Sequence, residues 1–112
     1  MMQIVEYMDE GGSSPFASWF SRLDVAAATR VTVQLARMAS SNLATAKAVG
    51  EGVLEMRIDY GPGYRLYFGR EGGQLVILLA GGTKQRQQAD IAVARRRWQD
   101  YRQRRKGQAP TC

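Results

Sequence analysis

The chain has 112 residues, with 16 lysines and arginines against 10 aspartates and glutamates, no histidine and a single cysteine. This length fits one domain, and one cysteine (Cys112) with no histidine excludes an internal disulfide and argues against a zinc site. The net charge of +6 predicts a protein that binds polyanions. The sequence shows neither a signal peptide nor a long apolar run, so we expect a cytoplasmic protein that binds no membrane. No cofactor is expected.

The first 52 residues predict one strand and two helices. Residues 3–8 are expected to form the strand. Ser14 is a favoured N-cap and Pro15 suits the first helical position, so a helix is predicted to begin there. Asp24 is expected to cap a second helix, and residues 40–52 to form an irregular connection.

Period-two alternation in residues 53–59 and again in 64–68 predicts two half-buried strands, with a turn at Gly61-Pro62-Gly63 between them. A loop of odd length keeps all even-numbered residues on one face, where they would form the core together with Trp98. Arg57 and Arg65 would then share the opposite, exposed face. The pattern allows a three-residue loop at 61–63 or a five-residue loop at 60–64. For the three-residue loop, the predicted partners are Asp59 with Arg65 and Arg57 with Tyr67.

The last third of the chain predicts a buried strand and a long helix. Residues 75–80 are apolar without alternation, which is typical of a strand covered on both faces. A basic corner follows at 83–87, and a helix is predicted from Gln88 to about Arg105. The whole is an α+β domain over 1–106, in the order strand, two helices, three-stranded antiparallel run and terminal helix around one small sheet. A short disordered tail is expected at 107–112.

Residues 95–106 hold seven basic side chains and one acidic one, so the net charge belongs to the C-terminal region. Basic clusters favour nucleic acids because they neutralise phosphates and release counterions. Arg102, Arg104 and Arg105 are therefore expected to contact RNA, although a solvated helix end would have the same composition.

The predicted sheet carries a second set of basic residues: Lys47, Arg57, Arg65 and Lys84. An RNA strand supplies its own nucleophile, the 2′-hydroxyl. Arginines can stabilise the charge of the phosphorane in bidentate geometry, and Lys47 or Lys84 could exchange protons without a metal. Tyr67 could stack on bases. A polar, solvent-facing sheet surface would explain the same residues without any chemistry.

Residues 47–58 and 61–68 resemble the addiction-module killer branch of the RelE/ParE/HigB toxins, and so do 14–20 and 78–85. The similarity extends from residue 3 to about 102. Its most specific part is the combination Glu-x-Arg-Ile followed by Gly-Pro-Gly-Tyr-Arg.

This resemblance implies the RelE fold and a toxin of a type II toxin–antitoxin pair. It also implies an antitoxin partner, expected to be a helix-turn-helix protein. Operator DNA would be bound only through that antitoxin. The resemblance further implies a ribosome-dependent endoribonuclease acting on mRNA. Catalytic roles carry over to Arg65, Arg57 and Lys84. Lys47 matches the pattern of this branch, and Arg86 in the basic corner is expected to contact RNA.

Two alternatives stay open on the sequence alone. The ParE branch uses the same fold to inhibit DNA gyrase, and a non-toxic RNA-binding accessory domain would share the composition. The tyrosine that RelE places near the scissile phosphate corresponds here to about Asp90, so the resemblance does not identify the general base. The clustered arginines favour RNA cleavage.

Overall fold

The computed structural model describes residues 1–107. Its elements, in chain order, are β1 (Gln3–Glu6), α1 (Pro15–Ser21), α2 (Val25–Ala39), β2 (Lys47–Ala48), β3 (Leu54–Ile58), β4 (Tyr64–Glu71), β5 (Leu75–Thr83), a 3-10 turn (Lys84–Arg86) and α3 (Gln87–Gly107). Gly107, expected in the tail, ends α3, and the rest of the predicted tail, with Cys112, lies outside the described residues.

One mixed sheet with the strand order β1-β5-β4-β3-β2 organises the fold. β1 runs parallel to β5, and the other neighbours are antiparallel. The predicted α+β architecture and its element order are confirmed. β2 was not predicted, because two residues carry no periodicity that could distinguish a strand from the irregular connection expected there.

Both predicted helix starts are confirmed by their capping bonds. The Ser14 side chain accepts a hydrogen bond from the backbone N–H of Ala17 at 3.0 Å, with Pro15 at the first helical position. Asp24 accepts from the N–H of Ala27 at 2.8 Å. Each cap satisfies a donor that the first helical turn cannot pair internally, so these boundaries follow from local sequence.

The sheet is covered on both faces, which corrects the expected exposed face. Even-numbered residues such as Met56 and Leu66 pack in a core with residues of α1 and α2, as predicted. Odd-numbered residues, among them Tyr67 and Ile77, pack in a second core beneath α3. Trp98 belongs to this second core and not to the first. The strand predicted at 75–80 is indeed buried on both faces.

The β3–β4 register differs from the predicted one by two residues. Arg57 lies opposite Arg65, so the loop spans the five residues 59–63. Because the loop length is odd, even-numbered and odd-numbered residues still lie on opposite faces, as predicted. Alternation determines which residues share a face, but it does not determine which residues are paired. Gly61 and Gly63 have φ angles of 56° and 77°, a left-handed conformation that glycine adopts without steric cost.

Replacing Gly69 by alanine is expected to lower the free energy of unfolding by about 1–3 kcal/mol, because the added methyl overpacks the second core. A Cβ on Gly69 would lie 2.4 Å from Cε3 and Cζ3 of Trp98. Urea unfolding measures the effect. Gly73→Ala is the matched control, since nothing lies within 4 Å of its Cβ position. Equal stability of the two variants would contradict the docking of α3 through Trp98.

Candidate functional site

The hairpin end of the sheet forms a cleft of 540 Å³, here called the hairpin cleft. Its lining consists of residues 57–59 and 61–65 together with Lys84, and so includes Arg57 and Arg65. β3 and β4 place the two arginines opposite each other. The backbone N–H of Lys84 donates to the carbonyl oxygen of Gly63 at 2.8 Å, which holds the basic corner against the loop. Three residues predicted to be catalytic therefore line one cavity.

Arg65 is held in place by buried polar contacts. It is 4% exposed and Glu55 is 1% exposed, and Arg65 Nε lies 3.6 Å from Glu55 Oε2. Arg65 Nη1 donates to the carbonyl oxygen of Gly63 at 3.1 Å. Gln87 Nε2 donates to Glu55 Oε2 at 2.9 Å. The carboxylate compensates the buried charge of Arg65, which is also a lining residue of the cleft, and these contacts set the orientation of Arg65 before an anion binds.

Arg57 and Lys84 are exposed, in contrast to Arg65. Within residues 1–107 neither side chain makes an ion pair or a hydrogen bond. Their charges can therefore contact an incoming anion without first breaking an internal contact. The hairpin cleft combines one fixed guanidinium with two free cations.

Tyr67 was expected on the exposed face of the sheet, but it does not lie on an exposed surface. Its side chain is fully buried in the second core. Burial and the neighbouring Glu55 carboxylate raise the pKa of its phenol far above the ordinary value of 10.0. The phenol therefore stays protonated at neutral pH and cannot act as a general base.

The remaining residues expected to bind RNA lie outside the hairpin cleft. Lys47 is exposed on β2, opposite Glu55 at the outer edge of the sheet. Arg86 lines a separate cleft of 390 Å³ together with Asp90 and Arg97. These two cations are available to a polyanion, but the structure does not bring them to the three residues of the hairpin cleft.

The basic C-terminal residues lie at the opposite end of β4. Arg105 contacts Glu71, the last residue of that strand, at 2.6 Å. Arg104 pairs with Asp100 and donates to the carbonyl oxygen of Met8 at 2.5 Å, whereas Arg102 is exposed. Glu71 lies six positions after Arg65, which is about 20 Å along a strand. These residues therefore form a surface distinct from the cleft.

Sequence reasoning missed Glu55 and Gln87 as functional residues. Glu55 was visible as the glutamate of the Glu-x-Arg-Ile motif, but its charge indicated a solvent-facing position. Gln87 contacts Glu55 across 32 residues of sequence, and nothing in its local sequence signals that contact.

Asp90 has an environment that is unusual for a carboxylate. Its Oδ2 atom is buried and has no hydrogen-bond partner among residues 1–107. A Cβ on Gly82 would lie 1.9 Å from that atom, so the glycine is required for the close approach. Burial raises the pKa of Asp90, and Arg86 and Arg97 oppose the shift.

Asp90→Asn is expected to stabilise the protein at neutral pH and to have less effect at acidic pH. Because the pKa of Asp90 is higher in the folded state, the folded protein binds more protons between the two pKa values. The free energy of unfolding therefore falls as pH rises through that interval. Asparagine does not titrate, so the variant does not lose this stability. Urea unfolding across pH tests this, with the exposed Glu10→Gln as control. An equal change in stability at both pH extremes would contradict the assignment.

The chain matches a known protein family. The family model described as Phage derived protein Gp49-like (DUF891) matches residues 18–99, a span that includes the whole hairpin cleft. The chain belongs to this family. The Gp49-like family is toxin-like, of the addiction-module kind. Its toxin-like character supports the toxin class expected from the hairpin motif, and it implies an antitoxin partner in general.

One relative of this Gp49-like chain is a protein of Haemophilus influenzae described as uncharacterized. It is 41% identical over 81 residues, which cover 71% of this chain and 82% of the relative. Within residues 1–107, no helix combines the length and the apolar character needed to cross a membrane.

Proposed function

We propose that this Gp49-like protein is the toxin of a type II toxin–antitoxin pair and that it cleaves mRNA on the ribosome without a metal ion, as a member of the RelE/HigB group. The observation that carries the proposal is the meeting of Arg57, Arg65 and Lys84 in one cleft. Phosphoryl cleavage needs concentrated positive charge around the phosphate more than it needs any other protein group.

The reaction transfers the phosphoryl group within the RNA strand. The 2′-oxygen attacks the neighbouring phosphorus, the bond from phosphorus to the 5′-oxygen breaks, and the products are a 2′,3′-cyclic phosphate and a 5′-hydroxyl. Arg65 is oriented by Glu55 and Gly63 and stabilises the charge that develops on the non-bridging oxygens. Arg57, directly opposite, adds a second guanidinium.

Two groups that line the cleft can exchange the protons of this reaction. The Asp59 carboxylate can accept the proton of the 2′-hydroxyl, and the Lys84 ammonium can donate one to the leaving 5′-oxygen. These roles replace that of the RelE last-helix tyrosine, whose position corresponds here to about Asp90, a residue that does not line the hairpin cleft.

Arg102, Arg104 and Arg105 would add contacts to ribosomal RNA outside the cleft. Arg102 is exposed and has no ion pair within residues 1–107, whereas Arg104 and Arg105 would exchange internal partners for phosphates. Exposed ion pairs such as Arg105–Glu71 are weakened by the surrounding water and stabilise the fold little, so that exchange costs little.

The experiment that tests the function compares two targets of the purified protein. Programmed ribosomes carrying a defined message are expected to yield cleaved message, both with and without EDTA, while supercoiling by DNA gyrase continues unchanged. Inhibition of gyrase with intact message would contradict the proposal and support the ParE-type activity. Cleavage that EDTA abolishes would contradict the metal-independent mechanism.

A further inference from the structure

A second cleft, of 600 Å³, lies beside the hairpin cleft and is here called the α2 cleft. One wall is a single face of α2, formed by Thr29, Arg30, Val33, Gln34 and Arg37. The other wall is Arg57, Ile58 and Asp59, and these three residues also line the hairpin cleft. The two cavities therefore share a wall at the end of β3, and Arg57 belongs to that wall.

The α2 cleft is open because the edge of the sheet is incomplete. β2 has only two residues and pairs with Leu54 and Glu55. Beyond Glu55, the outer edge of β3 has no strand neighbour among residues 1–107. This leaves Arg57 accessible both from the hairpin cleft and from α2.

The residues that line the hairpin cleft and the α2 cleft carry a strongly positive net charge. Arg30 and Arg37 are seven residues apart, about two helical turns, so they lie on the same face of α2. Both are exposed, and within residues 1–107 no carboxylate lies within ion-pair distance of either. The two clefts are thus lined by one acidic residue, Asp59, and by five basic residues: Lys84, Arg65, Arg57, Arg30 and Arg37.

The α2 cleft also offers apolar surface, and an aromatic ring contacts one of its arginines. The Arg30 guanidinium lies over the ring of Tyr60, 4.5 Å from its centroid, which restricts the arginine near the loop. Val33 is 44% exposed in the same cleft. Cations that contact phosphates beside apolar and aromatic surface are typical of sites for single-stranded nucleic acid.

We propose that the α2 cleft is a second phosphate-binding subsite, which holds the single-stranded RNA that adjoins the scissile phosphate. The strand then runs from the hairpin cleft past Arg57 and along α2, with Arg30 and Arg37 contacting its phosphates. This inference rests on the proposed function for the identity of the polyanion. It adds residues that bind RNA without touching the reacting atoms.

Binding of RNA by the Arg30→Ala/Arg37→Ala protein tests the subsite. The probes are a fluorescent dinucleotide, short enough to occupy the hairpin cleft alone, and a longer single-stranded RNA that can reach both clefts. The variant is expected to bind the dinucleotide like the parent and the longer strand more weakly. The slope of log affinity against log salt should fall by about 0.7 for each phosphate that the variant no longer neutralises.

Two further proteins serve as controls. Arg70→Ala/Arg96→Ala removes the same charge from exposed positions outside both clefts, and it should leave the salt slope nearly unchanged. Arg30→Lys/Arg37→Lys should retain most of the slope, because a point charge suffices to neutralise a phosphate. Alanine favours helix at exposed α2 positions, so circular dichroism should show a folded variant.

Cleavage on programmed ribosomes separates this inference from the proposed function. The double alanine variant should show a raised KM with a nearly unchanged single-turnover rate at saturating protein. A parental salt slope or a parental KM would overturn the subsite even if the parent cleaves RNA. Unchanged RNA binding, together with weakened binding of a poly-glutamate peptide, would also overturn it and assign the α2 cleft to an acidic protein segment.

Discussion

Arg65→Ala is expected to slow single-turnover cleavage of ribosome-bound message by about 10²–10³-fold, the usual cost of removing one charge-stabilising donor. The guanidinium is fixed by Glu55 and Gly63 at the wall of the hairpin cleft, so the substitution removes stabilisation of the transition state. Quench-flow or manual sampling at saturating protein measures the rate. A rate equal to that of the parent would remove Arg65 from the active site.

Because Arg65→Ala also leaves Glu55 buried without its cation, a second variant must separate chemistry from folding. Arg57→Ala removes an exposed arginine with no internal partner among residues 1–107. It should slow cleavage while leaving the unfolding transition unchanged. Arg65→Lys should restore little activity, since an ammonium cannot reproduce the bidentate guanidinium. Arg70→Ala, outside both clefts, should cleave at the parental rate.

Glu55→Ala is expected to lower the free energy of unfolding by about 3–5 kcal/mol, because it leaves the Arg65 charge buried and uncompensated. The same change releases Arg65 from its position, so cleavage should also slow at temperatures where the variant is folded. Urea unfolding measures the stability. The exposed Glu10→Ala is the matched control and should differ little from the parent.

A double variant, Glu55→Leu/Arg65→Leu, distinguishes the two roles of the pair. Replacing both ions by apolar side chains of similar size is often neutral or stabilising, so most of the stability should return. Cleavage should not return, because the cleft then has no fixed guanidinium. Recovered activity in the double variant would show that the pair serves stability alone.

The sequence predicted those parts of the fold that depend on neighbouring residues. Ser14 and Asp24 define helix starts because each caps its own first turn. The alternating pattern correctly assigned the even-numbered and odd-numbered residues of the hairpin to opposite faces of the sheet. It could not predict that Arg57 pairs with Arg65, because a shift of two residues preserves every face.

The error about the exposed face has a physical cause. Charges at positions 55 and 65 normally indicate solvent, but here Glu55 and Arg65 compensate each other beneath the start of α3. That compensation depends on a hydrogen bond from Gln87 across 32 residues, which no local pattern encodes. The family resemblance suggested Arg57, Arg65 and Lys84 as site residues. The α2 cleft could not be predicted, because it depends on how α2 packs beside the open edge of β3.

The measurement that tests the proposed mechanism most directly is the mapping of RNA ends after single-turnover cleavage on programmed ribosomes in EDTA, by the parent and by Arg57→Ala. We expect fragments with a 2′,3′-cyclic phosphate and a 5′-hydroxyl from the parent, and the same ends formed far more slowly by the variant. Intact message, 5′-phosphate ends, or equal rates for the two proteins would contradict a hairpin cleft that promotes attack by the 2′-hydroxyl.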